Sequence, residues 1–168
     1  MSIVLTRIDS RLVHGQVLAG WLPFTNATMI IVADNIAASN YFQKKVMEIA
    51  VPPEIILKIE KVEDAVSDLQ ENRYEDEKIM IIFSRLNDVV EAVRKGLVFS
   101  SINLGNLNYT TGKRQVTPSI ALDDNDIADL KTLLETGAHI DVRTVPRDQP
   151  ARIETIITGY HKYCGRHF

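Results

Sequence analysis

The sequence predicts an α/β fold, an open and mostly parallel sheet covered by helices on both faces. Two observations carry that expectation. Short β-branched runs alternate with segments of helical period, an order that calls for parallel strands joined by right-handed crossovers. Several of those runs are almost continuously apolar, as strands covered on both faces are.

In chain order the strand-like runs are IVLT (3–6), TMIIVAD (28–34), IILKIE (55–60), KIMIIFS (78–84), SINLG (101–105) and HIDVRTV (139–145). Between them, NYFQKKVMEIA puts Phe42, Val46, Met47 and Ile49 on one side of a helix, and VEDAVSDLQENR does the same with Val62, Ala65, Val66 and Leu69. NDVVEAVRKG and DNDIADLKTLLETG open on Asn or Asp and stop at Gly96 and Gly137, the expected N-caps and C-terminal glycines. The stretch 106–123 breaks the alternation: a polar turn at 110–113 precedes a strand-like RQVTPSIAL containing Pro118. Proline suits an edge or irregular strand, so one antiparallel strand is expected near 113–122. RIETIITGYHKYCGRHF reads as a terminal helix followed by a frayed basic tail.

The 168 residues are 45% hydrophobic and 24% charged, the profile of one domain spanning 1–168 with material for a full core. A net charge of -3 gives no general attraction to phosphate backbones, and no local basic stripe exists, so no nucleic-acid partner is expected. The single cysteine, Cys164, forms no internal disulfide, and no zinc-type Cys/His spacing occurs. A reducing compartment, no structural metal and no cofactor follow. No run approaches the roughly 18 apolar residues of a membrane span and the N-terminus is unlike a signal peptide, so the expected location is the cytoplasm.

The densest chemistry lies in RIDSRLVHGQV (7–17), after the first strand. In open α/β sheets ligands bind beyond the carboxyl ends of the strands, on the loops that lead into helices. Val17 and Trp21, and Leu18 and Leu22, are at i,i+4 spacing, which predicts a helix from His14 or Gly15 that Pro23 closes. Its first backbone N–H groups, at Gly15, Gln16 and Val17, would face an anion, and the planar forks of Arg7 and Arg11 match phosphate oxygens. Glycine after His14 leaves room for a bulky group on the imidazole. Asp9 would either hold one ring nitrogen of His14 as N–H or neutralise an arginine without touching the ring. His139, His161 and His167 sit in a strand or in the terminal helix and tail and read as structural.

The segment LTRIDSRLVHGQV resembles the signature of the IIB proteins of the mannose, fructose and sorbose branch of the bacterial phosphoenolpyruvate-dependent sugar phosphotransferase system. The likeness continues through WLPFTNATMIIVADNIAASNYFQKKVMEIAVP and INLGNLNYTTGKRQVTPSIALDDNDIADLKTLLETGAHIDVRTVP, in matching order to about residue 150. It implies a sheet of about seven strands with helices on both faces. It also implies a phosphocarrier: a IIA protein or domain hands a phosphoryl group to a IIB histidine, which passes it to a sugar entering through the membrane subunits IIC and IID. The matching acceptor is His14, with Arg7, Arg11, Asp9, Gly15 and Gln16 around it. Ser84, in FSRLNDV, falls on a loop near the phosphate that the family often fills with Thr or Lys followed by Pro. Apolar surface on 106–123 would support a homodimer. Two other readings fit acceptance chemistry or the fold class: a regulatory phosphohistidine protein without sugar transfer, and a nucleotide- or phosphometabolite-binding module. Against the latter, the chain has neither GxGxxG nor GxxxxGK[ST].

Overall fold

The structure is a computed structural model that describes residues 2–164. The tail after Cys164, with His167, lies outside the described residues. The strands are β1 (Ser2–Asp9), β2 (Met29–Ala33), β3 (Ile56–Glu60), β4 (Lys78–Phe83), β5 (Ser101–Asn106), β6 (Arg114–Thr117), β7 (Ile120–Leu122) and β8 (His139–Val142). Six of them form one parallel sheet in the order β3-β2-β4-β1-β5-β8. These are the six runs read from the sequence.

The helices are a π-wound stretch Val17–Trp21 that continues into α1 (Leu22–Thr25), then α2 (Asn35–Ala38), α3 (Tyr41–Ala50), α4 (Val62–Gln70), α5 (Leu86–Arg94), α6 (Asp124–Glu135) and α7 (Ile153–Cys164). Strand residues alternate between two cores. Ile30, Val32, Met80 and Ile82 pack with Leu12, Val17, Trp21, Leu22, Ala37 and Met47, so α1, α2 and α3 cover one face. Ile31, Ala33, Ile79, Ile81 and Phe83 pack with side chains of α4, α5, α6 and α7 on the other. Connections running toward β3 use the first face and those running toward β8 use the second, as right-handed crossovers require.

The antiparallel excursion differs in detail from the expectation of one strand. β6 and β7 pair with each other as a separate hairpin. Pro118 has no N–H to give a ladder and sits in the turn between them. The hairpin touches the chain beyond β5 through Leu107, whose N–H donates to Ser119 O at 2.9 Å and whose carbonyl accepts from Ala121 N at 2.9 Å. The main sheet therefore has six strands rather than the seven implied by resemblance.

Other expectations are corrected. On α3 only Met47 is buried; Phe42, Val46 and Ile49 are exposed, because α3 packs on α2 at the sheet edge and turns a single stripe inward. Of the apolar side chains on 106–123, Leu107, Ile120 and Leu122 are buried in the chain's own core, while Tyr109 is exposed. The helix α5 starts at Leu86, with Arg85 as N-cap, so Asn87 lies within it. Pro23 does not close the first helix: it lies inside the winding that runs from the π-wound stretch into α1, and Asn26 ends it at φ 52°. Gly96 and Gly137 end their helices at φ 102° and 83°, as read.

Candidate functional site

β1 sends its connection to one face of the sheet, and its neighbour β5 sends the next to the other. A crevice opens between their carboxyl ends, and RIDSRLVHGQV lies there. The loop is wound by Asp9, whose Oδ1 accepts from Arg11 N at 3.0 Å while its carbonyl accepts from Leu12 N at 2.9 Å. This side-chain turn lets the chain reverse within three residues. Leu12 is left-handed at φ 58°, a costly conformation for leucine, and it is held there by burial against the helix that follows. Ser10 ties the loop to its neighbours: its N–H donates to Asn106 O at 3.1 Å, and its hydroxyl accepts from Asn108 N at 3.1 Å.

His14 is the last residue before the helix, and its carbonyl accepts from Val17 N and Leu18 N at 3.0 Å. Its side chain is 18% exposed. Nε2 lies 2.7 Å from Asp9 Oδ2, and Gln16 N points at Nδ1 from 3.3 Å. Apart from its chain neighbours, nothing lies within 4 Å of where a Cβ on Gly15 would stand.

Asp9 is fully enclosed and gathers the loop's donors. Oδ1 also takes Arg11 Nε at 3.2 Å; Oδ2 also takes Arg7 Nη2 at 2.7 Å and Arg11 Nη2 at 3.3 Å. Burial opposes its charge, but the bonds from His14 and Arg11 and the charge of Arg7 together outweigh burial and hold the carboxyl well below the usual carboxylate range. Asp9 therefore holds the ring, and it pairs with both arginines as well; the reading in which it never touches the ring is not met. Two guanidinium groups against one carboxylate leave one positive charge in excess beside the imidazole.

The structure brings Asp9, Arg11, His14, Gly15 and Gln16 together at the crevice mouth. Arg11 is about one-third exposed and donates from Nη2 to Gln16 Oε1 at 2.9 Å, so its fork bridges Asp9 and the start of the helix. Two expectations change. Arg7 is not a loop arginine open to phosphate: it lies on β1, is completely buried, and spends its fork on Asp9 and Asn103. Burial lowers its pKa, and Asp9 opposes that shift. Ser84 also faces elsewhere, since its hydroxyl donates to Asp34 Oδ2, the N-cap of α2; only its carbonyl meets the loop, 3.4 Å from Ser10 Oγ.

Sequence reasoning missed the support beneath. The guanidinium carbons of Arg7 and Arg143 lie 5.3 and 5.4 Å from the Trp21 ring centroid, and Trp21 Nε1 donates to Thr144 O at 2.8 Å. Asn103 and Gly105 on β5 enclose Arg7. The signal in the sequence was a polar Asn and a bare Gly inside an apolar interior strand, which marks close approach of another group. A groove of about 490 Å³ runs beside the helix start, lined by Gly15, Gln16, Phe24, Pro146 and Arg147 among others.

The family described as PTS system sorbose subfamily IIB component matches residues 3–164. The chain belongs to this family. The sorbose-specific EIIB component of Klebsiella pneumoniae is 32% identical over 91% of this chain and 93% of its own length. The mannose-specific EIIAB component of Escherichia coli is 31% identical over 96% of this chain and 50% of its own. The crystal structure of the IIBSor domain of the Klebsiella pneumoniae sorbose permease matches with a TM-score of 0.89 at 32% identity, covering 94% of this chain and 97% of that one. As a IIB component the protein is a phosphotransferase of a sugar transport system. Among the described residues, no helix is long and apolar enough to cross a membrane.

Proposed function

We propose that His14 takes a phosphoryl group on Nδ1 from a phosphohistidine of a IIA protein or domain and passes it to a sugar held by the membrane subunits IIC and IID. The observation that carries this reading is the 2.7 Å contact of Nε2 with the enclosed Asp9 carboxylate. An ionised carboxylate only accepts, so Nε2 keeps its proton and Nδ1 keeps its lone pair. The lone pair attacks phosphorus in line, the bond to the donor nitrogen breaks, and that nitrogen keeps the electron pair. The ring becomes a phosphoimidazolium whose Nε2–H remains on Asp9, so the charge formed in transfer meets a counter-charge already in place.

Arg11 and the amides at the helix start are the donors that would steady the moving oxygens, since Gln16 N already points at the reacting nitrogen. Positioning supplies much of the acceleration in such a step. Arg11→Lys retains the charge but loses the fork, and initial transfer rates in both directions are expected to fall about tenfold with the fold unchanged. Wild-type rates in stopped-flow transfer would remove Arg11 from the reaction.

Relatives named for sorbose, mannose and N-acetylgalactosamine match at 31–32% identity, so sugar choice is assigned to the membrane subunits. The deciding experiment labels the protein with phosphorylated IIA, maps the label, and then adds IIC/IID vesicles with sugar. Label on His14 Nδ1 that leaves as sugar phosphate is the expected result. Label that stays on His14 would favour the regulatory reading, and label elsewhere would end the proposal.

A further inference from the structure

Asp9 Oδ2 serves two donors at 2.7 Å each, Arg7 Nη2 and His14 Nε2. Whatever fixes Arg7 therefore fixes the oxygen that holds the ring proton. Arg7 is sealed from solvent, and its second terminal nitrogen, Nη1, donates to Asn103 Oδ1 at 2.5 Å. The amide of Asn103 cannot turn over. Its Nδ2 faces three acceptors, Asp141 O at 3.2 Å, Asp141 Oδ2 at 3.1 Å and Arg143 O at 3.1 Å, which leaves the oxygen for Arg7 alone. Gly105, two residues along β5, forms the wall of the slot. A Cβ there would stand 2.2 Å from Arg7 Cζ and 2.3 Å from each terminal nitrogen, so any side chain at 105 expels the guanidinium.

We propose that Asn103 and Gly105 are positioning residues for phosphoryl transfer: through Arg7 they lock the Asp9 carboxylate and so hold the His14 proton on Nε2, away from the nitrogen that takes phosphorus. The inference rests on His14 as the acceptor. Neither residue reaches the ring itself; their leverage is mechanical. With Arg7 displaced, Oδ2 loses a fixed donor, the carboxylate turns more freely, and the imidazole is released to exchange between its two neutral tautomers.

The test is nitrogen NMR of the full chain, uniformly 15N-labelled, for the wild type, Asn103→Ala and Gly105→Ala, alongside initial transfer rates from phosphorylated IIA. The wild type is expected to show one Nε2–H tautomer. In both variants an Nδ1–H population is expected to grow and the transfer rate to fall about tenfold, while final labelling stays complete. A folded variant with wild-type His14 signals would overturn the proposal. Where neither variant folds, phosphorylation of the wild type decides: the Asn103 side-chain amide must shift, with Gln70 and Asn72 as unmoved references, and a silent Asn103 overturns it. If the wild type takes no label but the variants still mix tautomers, the acceptor reading has failed and the coupling stands.

Discussion

His14→Ala is expected to accept no label from phosphorylated IIA and to support no sugar phosphorylation when returned to IIC/IID vesicles. The effect is complete because the crevice offers no second free nucleophile among the described residues. The Ser84 hydroxyl is committed to Asp34, and the Ser10 hydroxyl accepts from Asn108 N while facing the Ser84 carbonyl. His139 opens β8 opposite Ser101, at the amino end of the sheet, and His161 is exposed on α7. The loss will report chemistry rather than unfolding. The His14 side chain is partly exposed, and its removal leaves Asp9 bonded to both arginines, so stability should change by about 1 kcal/mol or less. Denaturant unfolding of the variant checks this. Full labelling of His14→Ala would move the relay to another residue.

The sequence displayed the fold well because its central strands β2 and β4 are buried on both faces. Such strands must be apolar throughout, and MIIVA and KIMIIF are legible without any knowledge of their neighbours. The acceptor loop was legible for a different reason: Asp9, Arg11, His14, Gly15 and Gln16 are close in sequence and meet through local turns. What escaped depends on contacts between strands distant in the chain. Arg7 reads as a loop cation until β5 is placed beside β1, with Asn103 paired against it and Gly105 clearing the slot. The exposed stripe of α3 escaped as well, because helical period shows that a face is apolar and not that another element covers it. Phe42, Val46 and Ile49 have the right spacing and no core beneath them.

The second large effect is expected from Asp9→Asn, which changes one heavy atom and no volume. Both carboxylate oxygens face donors: Arg11 N and Nε on Oδ1, and Arg7 Nη2, Arg11 Nη2 and His14 Nε2 on Oδ2. An amide must put its NH₂ against one of those sets. At Oδ1 it meets a backbone N–H and a guanidinium, neither of which can become an acceptor. At Oδ2 one partner can change: the imidazole can give up the Nε2 proton and accept, and the proton then sits on Nδ1. The nitrogen proposed to attack phosphorus loses its lone pair, and transfer should fall about 10³- to 10⁴-fold with His14 still present. Nitrogen NMR would show the Nδ1–H tautomer; an unchanged tautomer with an unchanged rate would mean that Asp9 only balances charge. The same substitution leaves Arg7 buried without the carboxylate it is bonded to, at a cost of about 3 kcal/mol. It also alters the acid limb of stability. The folded Asp9 carboxyl titrates below its unfolded value of about 4, so its contribution is present above pH 4 and is lost as pH falls toward the depressed folded value. Asp88, whose pKa burial raises against the pull of Arg85, acts in the opposite sense and at higher pH, losing stability as pH rises. Urea unfolding of the wild type should therefore weaken below pH 4, and the Asp9→Asn variant should lack that portion of the decline while remaining less stable at neutral pH.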